Sequence, residues 1–236
     1  KFLKRKHNGK IFLIKLDIDP EDIKKSFKNK GIKKFLFYFF HFSNCIIFNK
    51  VIVESTCAFN ELSKLNFSKK LSKKLFVIPN GYDNSKIKKI TNNRKNIILS
   101  VGRVTYQKGF DILIKSFEMV NKTHSDWQLR IIGPIVDQEY YNQLKKLINS
   151  FNLEKSIIFV GQISDEELGN EFNNASIFCL LSRNEGFSIV RLEAIAYGLP
   201  MITSEAGCGV EYEKYGSIVV PIENIEKPAE AMIKLI

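Results

Sequence analysis

The chain has 236 residues, room for one large or two small domains, and its 44% hydrophobic content excludes wholesale disorder. Its net charge of +11 is divided: residues 1–96 hold 23 basic and 7 acidic residues, a balance of +16, while residues 97–236 hold 13 and 18, a balance of −5. Cys45, Cys57, Cys179 and Cys208 lack CxxC spacing and His7, His41 and His124 lie far apart, which reads as reduced thiols in a cytoplasmic protein with no metal site.

In chain order, Lys10–Ile18 is an apolar, β-branched run that predicts a strand, and Glu21–Asn29 has helical character. Phe35–Phe48 is strongly aromatic and follows Lys33 and Lys34. It is too short for a bilayer span, which takes about 20 residues, and reads as a core helix, with an interfacial membrane helix as the rival. Lys50–Glu54 predicts a strand, Ala58–Leu65 a helix and Leu75–Ile78 a strand closed by the turn Pro79-Asn80-Gly81. The polar stretch 83–96 coincides with the charge change and predicts a linker. We therefore expect residues 1–90 to be the remnant of one Rossmann-like domain plus linker, and residues 91–236 to be a second.

Beyond the linker, strands and helices alternate. Strands are expected at Asn96–Val101, Gln128–Ile132, Ser156–Val160, Ser176–Leu181, Met201–Ser204 and Ser217–Val220. Helices are expected at Phe110–Asn121, Glu139–Asn149, Asp165–Phe172, Ile189–Tyr197 and from Pro228 onward. Near-continuous apolar strands between helices predict an α/β fold, a doubly wound parallel sheet covered on both faces. Ligands of such sheets bind outside the carboxyl ends of the strands, so the loops after Val101, Ile132, Val160 and Leu181 share one rim.

Those loops carry the chemistry. The first holds Gly102-Arg103 and then Gln107-Lys108-Gly109, opening a helix: glycines admit a close ligand, and Arg103 and Lys108 suit a diphosphate. A surface loop with ordinary basic residues is the competing reading. Gly133 ends the second strand. The loop after Leu181 reads Ser182-Arg183-Asn184-Glu185-Gly186-Phe187-Ser188. Ser188 is expected as the N-cap of the next helix, and the backbone N–H groups from Gly186 to Ile189 as an anion site. Glu193 lies about one turn along that helix. Carboxylates beside phosphate donors suit sugar and ribose hydroxyls, because one carboxylate accepts two hydroxyl hydrogen bonds. A capping residue plus a surface glutamate is the rival.

The combination Gly-Arg-x4-Lys-Gly at 102–109 and Glu-Gly-Phe-x5-Glu-Ala-x3-Gly-Leu-Pro at 185–200 resembles the family 4 retaining glycosyltransferases, of GT-B fold. Val77-Ile78-Pro79-Asn80-Gly81-Tyr82-Asp83 and Phe159-Val160-Gly161 are similar to further segments of that family, and the likeness covers about residues 45–236. The resemblance implies two Rossmann-like domains, the N-terminal one incomplete, and a nucleoside diphosphate sugar donor with either UDP or GDP. Arg103 and Lys108 would hold the diphosphate and stabilise its charge as it leaves. Glu185 would hold donor-sugar hydroxyls, Glu193 the ribose, the backbone at Gln162 and Ile163 the base, and Gly186, Phe187 and Ser188 would shape the sugar-phosphate site. Transfer would retain anomeric configuration without metal or other cofactor, to a glycan or lipid-linked acceptor in surface polysaccharide or lipopolysaccharide synthesis.

The family's glycine-rich N-terminal loop is missing from the sequence, and the chain starts at Lys1 and stops soon after Val219-Val220-Pro221, so it is expected to be cut short at both ends. An inactive nucleotide-sugar-binding fragment is the alternative this leaves open. The basic front half suggests peripheral contact with an anionic membrane on the cytoplasmic side, or simply a solvated face. Without a recognisable reading motif, nucleic acid is not expected as a partner.

Overall fold

The computed structural model of the chain describes residues 13–16, 48–64, 73–83, 85, 87 and 93–236. The helix expected at 21–29 and most of the aromatic run at 35–48 lie outside these residues. The chain separates into two compact units, Lys1–Asn80 and Gly81–Ile236.

The described part of the first unit is a parallel sheet of β1 (Leu13–Leu16), β2 (Lys50–Val53) and β3 (Leu75–Val77), with α1 (Thr56–Ser63) packed on it. Val51, Val53, Leu62 and Leu75 form its small core. Ser55 caps α1 by accepting the Ala58 N–H at 3.2 Å.

The second unit is a six-stranded, wholly parallel sheet. Its strands are β4 (Ile97–Val101), β5 (Gln128–Ile132), β6 (Ile157–Gly161), β7 (Ile177–Leu180), β8 (Met201–Ser204) and β9 (Ile218–Val220), in the spatial order β6-β5-β4-β7-β8-β9. The helices are α2 (Phe110–Asn121), α3 (Gln138–Ser150), α4 (Asp165–Asn174), α5 (Ile189–Ala196) and α6 (Glu226–Leu235). Side chains alternate across each strand, so both faces are buried. Ile98, Ile131, Cys179 and Ile202 pack with Phe110, Phe117 and Met232 of α2 and α6 on one face. Ile97, Leu99, Ile132, Phe178 and Leu180 pack with Phe172, Ala194 and Tyr197 on the other. Cys179 is a free, fully buried thiol, and desolvation pushes its proton affinity up.

The units meet at 80/81, ten residues before the boundary placed in the polar stretch. That stretch looks like a linker by composition, yet several of its residues anchor to the second unit. Ile87 packs on the α4–α5 side of the sheet, and Arg94 donates to the carbonyls of Ala175 and Tyr197 at 2.8 Å each.

The strand order fixes where a site can form. The chain starts the second unit at β4, builds outward to β5 and β6, then returns to β7 on the other side of β4. Successive connections therefore diverge between β4 and β7, and a crevice opens at their carboxyl ends.

Candidate functional site

Backbone bonds stitch the rim loops together in strand order. The Gly133 N–H donates to Gly161 O at 2.9 Å, Gly102 N–H to Ile132 O at 2.8 Å, and Arg183 N–H to Gln107 O at 2.7 Å. Ser204 Oγ donates to Ser182 O at 2.6 Å. Two glycines make this closeness possible. Gly133 has φ +141° and a Cβ there would lie 2.2 Å from Gly102 O; Gly109 has φ +65° and a Cβ there would lie 2.1 Å from Leu181 O.

Lys108 ends a short 3-10 turn, Tyr106–Lys108, that the sequence pattern did not indicate. Its stem lies along Gly102, where an added Cβ would meet Lys108 Cδ and Cε at 3.3 Å. Its Nζ donates to Glu185 Oε2 at 2.7 Å, and the two side chains are only 15% and 9% exposed. The basic residue expected for a phosphate and the carboxylate expected for a sugar thus meet across the β4–β7 crevice. Arg103 sits exposed on the same loop.

Arg183, two residues before Glu185, fixes the crevice's floor. Its guanidinium donates twice to Asp111 at 2.7 Å, once to Tyr106 O at 2.8 Å, and also to Glu223. It stacks on the Tyr106 ring at 3.8 Å. Tyr140 donates to Asp111 at 2.5 Å. Burial raises the Asp111 carboxyl, but the bonds from Arg183 and Tyr140 outweigh it and hold it below its ordinary value. Burial lowers the Arg183 guanidinium, and its bonds to Asp111 and Glu223 more than restore it. Arg183 is a structural clamp between the two loops, a role that sequence spacing could not reveal, since Asp111 and Glu223 lie 72 and 40 residues away.

The residues after Glu185 depart from expectation in one respect. Ser188 occupies the N-cap position of α5, but its backbone is left-handed at φ 63° and its side chain makes no capping bond. The tight turn through Gly186-Phe187 rotates the hydroxyl inward, where Ser188 Oγ is buried without a hydrogen-bond partner among the described residues. Phe187 turns its ring into the interior, 6.4 Å from that of Tyr212, and its carbonyl accepts the Tyr212 hydroxyl at 3.1 Å. Gly186 is half-buried and Ile189 exposed.

Glu193 does not join the Lys108–Glu185 pair. It lines a pocket of about 310 Å³ with Tyr82, Asp165, Gly169, Phe172 and Tyr197, between α4 and α5. The Tyr197 ring stacks on Phe172 at 5.2 Å and 11°. The Tyr82 phenol is raised by burial and then by Glu193, Tyr197 and Asp165; that of Tyr197 by burial and then by Glu193. Both phenols are therefore neutral donors in a locally negative pocket, a setting that suits hydroxyl-rich ligands. Gln162 is exposed on the adjoining rim, while Ile163 packs half-buried against the core beneath. Among the described residues no helix is long and apolar enough to cross a membrane.

The sequence of residues 82–236 matches the family model described as glycosyl transferases group 1. An uncharacterized glycosyltransferase of Haemophilus influenzae is 32% identical over 151 residues, 63% of this chain and 41% of that protein. The lipopolysaccharide core biosynthesis mannosyltransferase LpcC of Rhizobium leguminosarum bv. viciae is 26% identical over 119 residues, 50% of this chain and 33% of that one. The chain thus spans less than half the length of these relatives. Anabaena HepE, solved in complex with UDP and glucose, superposes with a TM-score of 0.79 at 17% identity, covering 99% of this chain and 62% of the other. That likeness identifies the parallel-sheet units as those of a GT-B fold. With the family model spanning most of its length, this chain belongs to the glycosyl transferases group 1.

Proposed function

We propose that the second unit binds a nucleoside diphosphate sugar, either UDP- or GDP-linked, and that the whole protein transfers the sugar to a glycan or lipid-linked acceptor with retained anomeric configuration. The observation that carries this is the Lys108–Glu185 contact of 2.7 Å at the carboxyl ends of β4 and β7, the one point where the sheet's connections diverge. The complex of HepE with UDP and glucose supports a nucleotide-sugar donor. The lipopolysaccharide core biosynthesis mannosyltransferase supports a role in surface polysaccharide or lipopolysaccharide synthesis.

In this mechanism Arg103 and Lys108 bind the diphosphate, and their charge offsets the negative charge that develops as the glycosidic bond to it breaks. A cation held in a partly buried crevice, as Lys108 is, is effective because it needs no reorientation during the reaction. Glu185 accepts hydrogen bonds from sugar hydroxyls, and Gly186 and Ser188 bring backbone close to the sugar-phosphate junction. The acceptor hydroxyl bonds to the anomeric carbon on the leaving-group face as the bond to the diphosphate breaks and gives its proton to a diphosphate oxygen, and with Arg103 and Lys108 offsetting the leaving charge this mechanism needs no metal. Glu193 accepts the ribose hydroxyls at the mouth of the α4–α5 pocket, and the backbone of Gln162 and Ile163 meets the base.

The two glutamates separate under this assignment. Glu193→Gln is expected to weaken free UDP or GDP about tenfold, which corresponds to 1.4 kcal/mol, and Glu185→Gln to leave free nucleotide nearly unchanged while weakening the nucleotide sugar. Calorimetric titration of both variants with both ligands, with melting temperature as a control, checks this. Equal loss of free nucleotide in the two variants would refute the assignment of Glu185 to the sugar.

A further inference from the structure

Arg191 is the third residue of α5. Among the described residues it is one of the largest fully buried side chains, at 0% exposure. Among the described residues no carboxylate forms an ion pair with it, and Glu185 acts on it only at longer range. Its terminal nitrogens donate to three backbone carbonyls, Ala206 O at 2.9 Å, Gly207 O at 3.3 Å and Ser204 O at 3.4 Å. The guanidinium carbon lies 5.3 Å from the Tyr212 ring centroid, and Nε has no acceptor among the described residues. Leaving a cation so buried is costly unless it serves a local charge.

That charge is one residue layer away. Gly207, whose carbonyl Arg191 holds, presses against the Glu185 backbone. A Cβ at Gly207 would lie 2.3 Å from Glu185 O and 2.7 Å from Glu185 Cβ, and its φ of +56° lies in the left-handed region that favours glycine. Arg191, Gly207 and Glu185 therefore stand in sequence from the interior to the crevice. Burial lowers the Arg191 guanidinium, and the attractions of Glu185 and then Tyr212 work against that lowering. Among the described residues, the charged and titratable groups seen to act on Glu185 are Lys108 from the β4 loop, Arg191 from α5 and Tyr212 from the 3-10 turn after β8.

We propose that Arg191 is a positioning residue for Glu185: it pins the 204–207 loop behind the Glu185 backbone and supplies a permanent positive charge that a bound diphosphate cannot take. The contrast with Lys108 carries this. Lys108 is at the crevice surface, so a diphosphate there shares its charge and weakens its hold on Glu185. Arg191 is walled in by three carbonyls, so its charge stays with Glu185 while the carboxylate accepts the sugar hydroxyls. The inference rests on the assignment of Glu185 to the donor sugar made above.

The test compares a nucleotide sugar with the matching free nucleotide, UDP-glucose against UDP and GDP-mannose against GDP, by calorimetry on the full chain. Arg191→Met keeps volume and removes charge. It is expected to weaken the nucleotide sugar about tenfold or more and the free nucleotide less than about twofold, and Arg191→Lys is expected to restore most of the difference. Gly207→Ala leaves the charge but pushes on Glu185, and is expected to give the same selective loss. It also carries the test if Arg191→Met does not fold. Equal weakening of both ligands in the variants, or an unchanged preference for the sugar in Arg191→Met or Gly207→Ala, would overturn the proposal. Failure of the unaltered protein to bind any of the four ligands would instead refute the donor assignment beneath it, and this inference with it.

Discussion

Glu185 and Arg183 sit two residues apart in one loop and have different partners: Glu185 pairs with Lys108, Arg183 with Asp111 and Glu223. Glu185 was singled out in the sequence because its spacing to Glu193 and its Gly-Phe context resemble a family pattern, and the fold pairs it with Lys108. Arg183 was not, because its partners come from α2 and from the loop after β9. Removing it strands Asp111 and the Tyr106 ring, so Arg183→Ala is expected to cost about 1.5–3 kcal/mol, the range for hydrogen bonds to charged groups. Chemical denaturation checks the value, and a loss below about 0.5 kcal/mol would show the clamp to be slack. The Asp111 carboxyl is held low in the fold, so its contribution is complete above the unfolded value of 3.8 and is lost as pH falls through the lower folded value. Arg183→Ala should therefore flatten the acid limb of stability below about pH 4; an unchanged acid limb would contradict the pairing. Arg191 was hidden for a different reason. Helical periodicity marks which face is buried, but nothing local shows that a cation on that face will find three carbonyls from another loop.

Strand and helix alternation in the second unit could be read directly, since most of its strands are short apolar runs and helices such as α2 and α3 carry a buried stripe. The 3-10 turns at Tyr106–Lys108 and Gly209–Tyr215 could not, because three- to seven-residue turns carry too little periodicity. Caps show the same limit. Ser164 and Glu167 form a reciprocal capping box on α4, whereas Ser188 at the start of α5 is turned left-handed and caps nothing. Ser164→Ala is expected to lower stability by about 1 kcal/mol, and Ser188→Ala to lower it by much less; equal losses in thermal unfolding would contradict the difference in geometry. At the crevice, Gly109→Ala combines a left-handed backbone with a contact of 2.1 Å to Leu181 O. The strain of about 1–3 kcal/mol can be relieved only by parting the β4 and β7 loops. The variant should therefore lose nucleotide binding along with melting temperature, and normal binding at a lowered melting temperature would show that the loops need not touch.

At the scale of the molecule, the charge division and the two units tell related stories. The break in charge falls near the boundary between units, but composition set it some ten residues late, because Ile87 and Arg94 look like linker residues until their partners on the second unit are known. The basic part, residues 1–96, carries +16. Each basic residue close to an anionic surface is worth about 1 kcal/mol, so the chain is expected to sediment with phosphatidylserine vesicles at low salt and to be released by salt. Equal sedimentation with neutral vesicles would remove the argument for a membrane-facing surface.

The claim on which the rest depends is that the crevice between β4 and β7 receives a diphosphate on Lys108. Calorimetric titration of UDP and GDP into the full chain and into its Lys108→Met variant tests it. One nucleotide should bind the unaltered protein and lose about tenfold to a hundredfold in affinity in the variant, the equivalent of about 1.5–3 kcal/mol for a charged hydrogen bond. Heat of binding that is the same in both proteins, or absent from the folded unaltered chain with either nucleotide, would contradict it.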